Sequence, residues 1–306
     1  MARPHILVFL LVVAVAACGT GAAEPDNGGP VRVVATTAIL GDLLAPLADA
    51  GAEIESLMPN GADPHDWEPS ARDVATLRDA DLVVAVGLGL EEGIVDVLAD
   101  AEADGVVVLR IAPLVDPLPF HDPRHDHDDQ DLDPHVWLDP IRMKLAVGEV
   151  ADVLADRFPE LAWDRPVEEI TSELEAADAL IREVLSVVPE GRRRLVTGHD
   201  VLGYFADRYG FEVAGVLIPG GTTLADASSR DLAELIATLR ESDLEAIFTE
   251  TTVPASLAET VSAEVGRPIE IVTLHTAALG DPTTEAGSYP EMLVSNARRI
   301  ADALGG

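Results

Sequence analysis

A regular alternation of short apolar runs with amphipathic runs of helical spacing occurs twice along the chain, and it constrains the fold more than any other feature. Residues 31–40 (VRVVATTAIL) begin as a β-branched apolar run typical of a buried strand, and residues 39–50 continue with helical spacing. The runs AEIESLMP, DLVVAVG and GVVVLRI predict further strands, and SARDVATLRDA predicts a helix with Ser70 as its N-cap. Strands that alternate with helices indicate a parallel sheet covered on both faces.

A long helical pattern separates the two halves of the chain. Residues 163–188 have helical spacing throughout, which predicts one helix about 39 Å long at ~1.5 Å per residue, enough to connect two lobes. The second half repeats the alternation, with strand-like runs such as RRLVTG and EVAGVLI. The sequence therefore predicts an α/β protein of two lobes, each with a mainly parallel central sheet flanked by helices. We expect the lobes at residues 31–162 and 190–306, joined by one long helix at residues 163–189.

The first residues have the anatomy of an export signal. Arg3 precedes an apolar run over residues 6–17 that is shorter than the roughly 20 residues a spanning helix needs, which predicts a signal peptide at residues 1–17. The only cysteine, Cys18, ends the segment VAAC, which resembles the lipobox of bacterial lipoproteins. We expect Cys18 to be lipidated, with residues 18–30 as a flexible tether; a free thiol is the alternative.

The charge of the chain limits the classes of partner that it can bind. Its 306 residues carry 20 Lys and Arg against 55 Asp and Glu, a formal net charge of −35. Phosphate recognition depends on basic side chains, so this balance argues against a nucleic-acid partner. A cationic ligand is the electrostatically favourable one.

Three histidines and one aspartate stand where predicted strands give way to loops or helices. The motif Asp-Pro-His-x-Trp occurs twice and contains His65 in its first copy and His135 in its second, while His199 and Asp281 lie in the second half. Ligands bind in open α/β sheets near such strand ends, and three imidazoles with a carboxylate match a zinc site. The separations in sequence are long, and a lone histidine near a strand end is more often a hydrogen-bonded structural residue than a metal ligand.

The order of these segments carries a resemblance. The lipobox, GADPHDWEPS, LDPHVWLDP, TGHDVLGYFADRYG and GSYPEMLVSNARRIADAL together resemble the zinc and manganese solute-binding lipoproteins of bacterial ABC importers. The similarity covers essentially the whole mature chain and implies two α/β lobes, one rigid connecting helix and one metal ion between the lobes. It further implies a non-enzymatic, monomeric binding protein outside the cell membrane, lipid-anchored or periplasmic. Its expected partners are an ABC permease with its ATPase, and a metallochaperone as a further candidate.

The resemblance also implies the metal ligands. They are His65, His135 and His199, together with an acidic residue for which Asp281 occupies the matching segment and Glu285 is the alternative. Members that resemble manganese carriers tend to have a carboxylate at the third position, where this chain has an imidazole. A nitrogen-rich site favours Zn²⁺, which is the expected cargo, with Mn²⁺ or iron as the alternative.

An acidic, histidine-containing loop is expected at residues 121–133. It contains His121, His125 and His127 among six aspartates, and it resembles the histidine-rich loop of many zinc members of the family. One interpretation is a weak secondary site that captures Zn²⁺ near the cleft. The alternative is a solvated acidic loop that binds metal only incidentally.

The neighbours of the histidines suggest how the ligands are supported. Metal-bound imidazoles usually donate their second N–H to a carboxylate or carbonyl, so Asp63, Asp133 or Asp200 is expected to orient a ligand histidine. Trp67 and Trp137 are expected to pack beside the site and exclude water, or simply to belong to the core.

A secreted zinc hydrolase is the competing function from another class. It would need an open coordination position and a general base, for which Glu250 is a candidate, although a structural role at a strand end fits that residue better. A rigid connecting helix argues against wide hinge closure, so metal release is expected through local motion of the loops that carry His135 or Asp281.

Overall fold

The computed structural model describes residues 29–120, 132–225, 227–252 and 255–305. Within these ranges, no helix is both long enough and apolar enough to cross a membrane. Several sequence predictions lie outside the described residues: the signal segment 1–17, Cys18, and His121, His125 and His127.

The first lobe is built on a parallel sheet of four strands. The strands are β1 (Val31–Ala35), β2 (Ala52–Ser56), β3 (Leu82–Ala85) and β4 (Val107–Arg110). The helices are α1 (Ala38–Leu44), α2 (Ala71–Arg78), α3 (Val95–Ala103) and α4 (Pro140–Arg157). The strand order is β2-β1-β3-β4, and the fully buried β3 shows why this strand reads as a continuous apolar run. The predicted N-cap is confirmed, because the Ser70 hydroxyl accepts a hydrogen bond from the Asp73 N–H in a capping box.

A single helix, α5 (Asp164–Leu185), follows the first lobe. Its 22 residues span about 33 Å, somewhat less than the sequence pattern predicts. The chain leaves the helix before Pro189, since a proline disfavours helical backbone in the residue that precedes it.

The second lobe has the same construction as the first. Its strands are β5 (Arg194–Thr197), β6 (Glu212–Val216), β7 (Ala246–Glu250) and β8 (Glu270–Leu274). Its helices are α6 (Gly203–Tyr209), α7 (Ser229–Glu241), α8 (Ser256–Val265) and α9 (Tyr289–Leu304). The strands are parallel and follow the order β6-β5-β7-β8. The predicted fold class, two lobes of parallel sheet flanked by helices, is confirmed.

One hydrophobic core runs through both lobes and the connecting helix. Leu40 and Trp137 of the first lobe belong to the same buried cluster as Leu174 of α5 and Phe248 and Tyr289 of the second lobe. Helix α5 packs against both α4 and α9. Separating the lobes would expose this shared core to water, so the lobes are held as one packed unit.

A buried aspartate on α5 strengthens this connection. Asp178 accepts two hydrogen bonds from the Arg208 guanidinium, at 2.9 and 2.8 Å, and one from the Tyr209 hydroxyl at 3.1 Å. Arg182 adds a contact of 3.2 Å along the same helix. Arg208 also lies 3.5 Å from Asp139, the N-cap of α4. The network therefore joins α4, α5 and α6.

We expect Asp178→Asn to lower the free energy of unfolding by about 2 kcal/mol at pH 7, less than for a fully buried pair because the arginines are partly exposed. Burial acts to raise the pKa of Asp178, but Arg208 and Arg182 outweigh burial and hold it below its ordinary value. A carboxylate whose pKa is lowered on folding stabilises the folded state fully at pH values above its unfolded pKa of ~4. This contribution is lost as the pH falls through the folded-state pKa.

Urea unfolding at a series of pH values checks this expectation. The difference between wild type and Asp178→Asn should be complete at pH 7 and shrink below about pH 4. Glu169→Gln, which removes an exposed carboxylate from the same helix, is the matched control and should unfold like wild type. Equal stability of Asp178→Asn and Glu169→Gln at pH 7 would contradict the assignment.

Candidate metal centre

The structure brings three of the four candidate ligands together. His65, His135 and His199 are all buried, and each offers a ring nitrogen within 4.8 Å of those of the other two. The Nε2 atom of His135 lies 3.4 Å from Nε2 of His65 and 3.2 Å from Nε2 of His199. The imidazole rings are tilted against one another, with centroids 5.0 to 5.5 Å apart. Three ring nitrogens thus face one small volume between the lobes.

His65 stands in the loop that follows β2. The Asp63 side chain accepts a hydrogen bond from the His65 backbone N–H at 3.0 Å, and Pro64 lies between them. This is the local turn that aspartate forms with the residue two positions on. It fixes the direction in which the histidine leaves the chain.

His135 is presented in the same way at the start of the segment that leads into α4. Asp133 accepts the His135 backbone N–H at 2.8 Å and also contacts ring atom Nδ1 at 2.6 Å. The carbonyl of Asp133 accepts a hydrogen bond of 2.6 Å from the Tyr204 hydroxyl, so α6 of the second lobe supports this turn. The Trp137 ring packs edge-on against His135 at 5.2 Å, beside the site as expected.

His199 follows β5, and its partner comes from the neighbouring strand β7. Glu250 accepts the His199 backbone N–H at 3.3 Å and contacts its Nδ1 at 2.7 Å. A Cβ atom at Gly198 would lie 2.5 Å from the same carboxylate oxygen, so only glycine leaves room for this approach. The strand order reverses between β5 and β7, which is the position where open parallel sheets bind ligands.

The carboxylate contacts determine which ring nitrogen is available. An ionised carboxylate can only accept a hydrogen bond, so Nδ1 of His135 and of His199 carries the proton. Nε2 then holds the lone pair and faces the other histidines. Carboxylate-supported imidazoles of this kind are the usual arrangement around a protein-bound metal.

Burial controls the charge of the first two histidines. The pKa of His65 is lowered to about 2 by burial and by the neighbouring His135 and His199. Burial, followed by the charge of His199, also holds the pKa of His135 well below its ordinary value. Both imidazoles are therefore neutral near pH 7, which is the form that ligates a metal.

The third histidine is coupled to a buried carboxylate. Burial would lower the pKa of His199, but the charge and hydrogen bond of Glu250 outweigh it, and the pKa of His199 is raised. Burial acts in the opposite sense on Glu250, whose pKa is nevertheless lowered by His199. With Nε2 of His199 unprotonated, the Glu250 carboxylate places one net negative charge beside the three nitrogens, which favours a cation there.

Direct hydrogen bonds join the two lobes around the histidines. The Asn60 side chain donates to the Leu279 carbonyl at 3.1 Å and accepts the Leu279 N–H at 2.9 Å. Thr223 donates to the second oxygen of Asp63 at 2.6 Å, and Trp137 donates its indole N–H to the Thr276 carbonyl at 2.5 Å. The loop that bears His65 is therefore bound to two loops of the second lobe.

The structure does not bring the predicted acidic ligand into this cluster. Asp281 is exposed, and its carboxylate accepts hydrogen bonds from the Thr283 N–H and hydroxyl within its own turn. Those bonds lower its pKa. Glu285, the alternative, is also exposed, and it contacts Ser295 and Arg299. A turn closed by local hydrogen bonds holds Asp281 toward solvent, and sequence spacing gives no indication of this.

The sequence predicted only some of the carboxylates that contact the histidines. Asp133 contacts the ring of His135, whereas Asp63 holds the backbone of His65. Glu250, not Asp200, contacts the His199 ring and also accepts a hydrogen bond from Thr276, so it is already engaged as a structural partner. The feature of the sequence that could have identified Glu250 is its position at the end of a buried strand in the lobe that carries His199.

Comparison with known proteins also indicates a metal-binding protein. Residues 33–303 match the family described as zinc-uptake complex component A, periplasmic. The zinc-binding protein TroA of Treponema pallidum is 31% identical over 290 residues, which cover 93% of this chain and 92% of TroA. The manganese-binding lipoprotein MntA of Halalkalibacterium halodurans is 29% identical over 301 residues, 96% of each chain.

A solved structure extends this similarity to three dimensions. The periplasmic zinc binding protein TroA from Treponema pallidum superposes with a TM-score of 0.80 at 31% identity, covering 90% of this chain and 99% of that one. The match includes both lobes and the connecting helix. The chain therefore belongs to the family of periplasmic zinc-uptake component A proteins, which are substrate-binding proteins for metal transport and not enzymes.

Proposed function

We propose that this protein captures Zn²⁺ outside the cell membrane and delivers it to an ABC permease with its ATPase. The observation that carries the proposal is the spacing of the ring nitrogens. At a Zn–N distance of about 2.05 Å, two nitrogens of a tetrahedral site lie roughly 3.3 Å apart. The Nε2 separations of 3.4 and 3.2 Å in this structure match that value.

The chemistry of the donors supports zinc as the cargo. His65, His135 and His199 offer only nitrogen, and imidazole suits Zn²⁺, whereas carboxylate, carbonyl and water suit Mn²⁺. The general affinity order of divalent metals also places zinc far above manganese. The related proteins are named for both metals, so manganese is the second candidate.

Membrane attachment through a lipid on Cys18 is part of the proposal. It is supported by the segment VAAC in the sequence and by relatives that are named as lipoproteins. Capture of zinc by His121, His125 and His127, and a metallochaperone as an additional partner, remain predictions from the sequence.

Equilibrium competition against a chromophoric chelator tests the choice of metal. We expect the purified wild type to bind Zn²⁺ at least 100-fold more tightly than Mn²⁺, following the affinity order of nitrogen-rich sites. Because the ion binds only the folded state, zinc should also raise the melting temperature more than manganese at equal concentration. Tighter binding of manganese in the same assay would end the zinc assignment.

Two substitutions test the ligand set. We expect His199→Ala to weaken zinc binding by two orders of magnitude or more, since it removes one nitrogen donor, whereas Asp281→Ala should change affinity by less than about threefold. Both are measured by chelator competition. Asp281 serves as the matched comparison because it is a predicted ligand that the structure places on the surface. An equal loss in both variants would show that the loop of Asp281 moves into the site when metal binds.

The carboxylate behind His199 is tested separately. We expect Glu250→Gln to weaken zinc binding by about 10- to 100-fold, the usual effect of removing a carboxylate that supports a metal-bound histidine. Glu270→Gln, at an exposed position on strand β8 of the same sheet, is the control and should bind like wild type. If the two variants bind zinc equally well, Glu250 does not support the metal site.

A further inference from the structure

The three histidines differ in how their second ring nitrogen is held. Nδ1 of His135 and of His199 contacts a carboxylate at 2.6 and 2.7 Å, and both carboxylate residues, Asp133 and Glu250, are buried. Nδ1 of His65 is also buried, yet it has no hydrogen-bond partner among the described residues. One member of the trio therefore has a fixed backbone and an unsupported ring.

A third carboxylate lies just beyond hydrogen-bond range of that nitrogen. Oε1 of Glu92 is 3.8 Å from Nδ1 of His65, and the Glu92 side chain is 46% exposed. Water can therefore compete for Glu92, as it cannot for the two buried carboxylates. A side-chain movement of about 1 Å would close the gap to an ordinary hydrogen bond of roughly 2.8 Å.

The backbone that carries Glu92 is firmly placed. The preceding residue, Glu91, is buried and accepts hydrogen bonds from the Thr36 hydroxyl at 2.7 Å and from the N–H groups of Val86 and Gly87 at 2.7 and 2.9 Å. On the other side, a Cβ atom at Gly93 would lie 2.3 Å from the Trp67 carbonyl oxygen. The turn is thus packed directly against the loop that bears His65.

We propose that Glu92 is the positioning residue of His65 and that its contact with Nδ1 sets the rate at which the metal leaves. This inference rests on the proposed function, because it requires that the three histidines bind Zn²⁺. In the zinc-bound protein Nδ1–H of His65 donates to Glu92, as the other two rings do to their carboxylates. This contact faces solvent and breaks first, so His65 is the ligand that detaches at the start of release.

Stopped-flow transfer of zinc to an excess of chelator tests this order of events. We expect Glu92→Ala to raise the dissociation rate constant by about 10-fold or more, in the range typical of a lost support for a metal-bound histidine. Glu92→Gln should have a smaller effect, since its amide oxygen still accepts a hydrogen bond. Asp96→Asn removes an exposed carboxylate from the first turn of α3 and controls for the change in charge. The association rate constants of Glu92→Ala and Asp96→Asn should agree.

Nitrogen-15 NMR of the histidine rings provides a second measurement, which a merely structural role of Glu92 would not change. In the zinc-loaded wild type we expect an Nδ1–H signal for each of His65, His135 and His199, and the signal of His65 should exchange fastest with solvent. Glu92→Ala should lose only the signal of His65. Unchanged melting of the metal-free variant would show that the fold is intact.

The outcomes separate this inference from the proposed function. If wild type binds zinc but Glu92→Ala matches Asp96→Asn in both dissociation rate and spectrum, the role of Glu92 is overturned and the function stands. If wild type fails to bind zinc, the proposed function is overturned and the inference with it.

Discussion

The metal centre depends on carboxylate oxygens that hold the backbone N–H groups of the three histidines. Asp63, Asp133 and Glu250 each accept a hydrogen bond from the N–H of the histidine that they support. A buried N–H without a partner would be costly, so these bonds both satisfy the backbone and fix the direction of each side chain. Asp133 and Glu250 then use the same oxygen to orient the ring. The direction of each imidazole is thereby set by hydrogen bonds of the protein itself.

The sheet topology explains why these groups meet. All strands of a parallel sheet end at the same edge, so the loops that follow β2, β4 and β5 open toward one crevice. Tyr204 of α6 and Thr223 reach across from the second lobe to the turns that bear His135 and His65. The repeated Asp-Pro-His frame is thus one local solution used twice in the first lobe, and the second lobe obtains the same result with a carboxylate from a neighbouring strand.

The sequence predicted those parts of the molecule that depend on local patterns. Strand and helix alternation indicated both sheets, and the Ser70 cap was correct, because capping is decided within one turn. The two Asp-Pro-His-x-Trp motifs likewise indicated His65 and His135. The turn that presents each histidine is closed locally, by the aspartate two residues before it. Two features depend on long-range packing, which spacing along the chain does not encode: Glu250 lies 51 residues from the histidine that it supports, and Asp281 turns outward. The proximity of Glu92 to His65 also cannot be predicted from the sequence, since the two residues belong to separate loops.

The shared core determines what kind of motion is available for metal exchange. Trp137, Leu174 and Phe248 belong to one buried cluster that extends through both lobes, so opening the molecule like a hinge would expose apolar surface along its whole length. A side-chain rotation at the edge of the site exposes almost no apolar surface. The least supported of the three imidazoles is also the one beside a solvent-exposed carboxylate, at the end of the site that water can reach. Under the proposed function, a rigid scaffold with one weakly held imidazole would allow tight capture and local release together, because the two properties would depend on different residues.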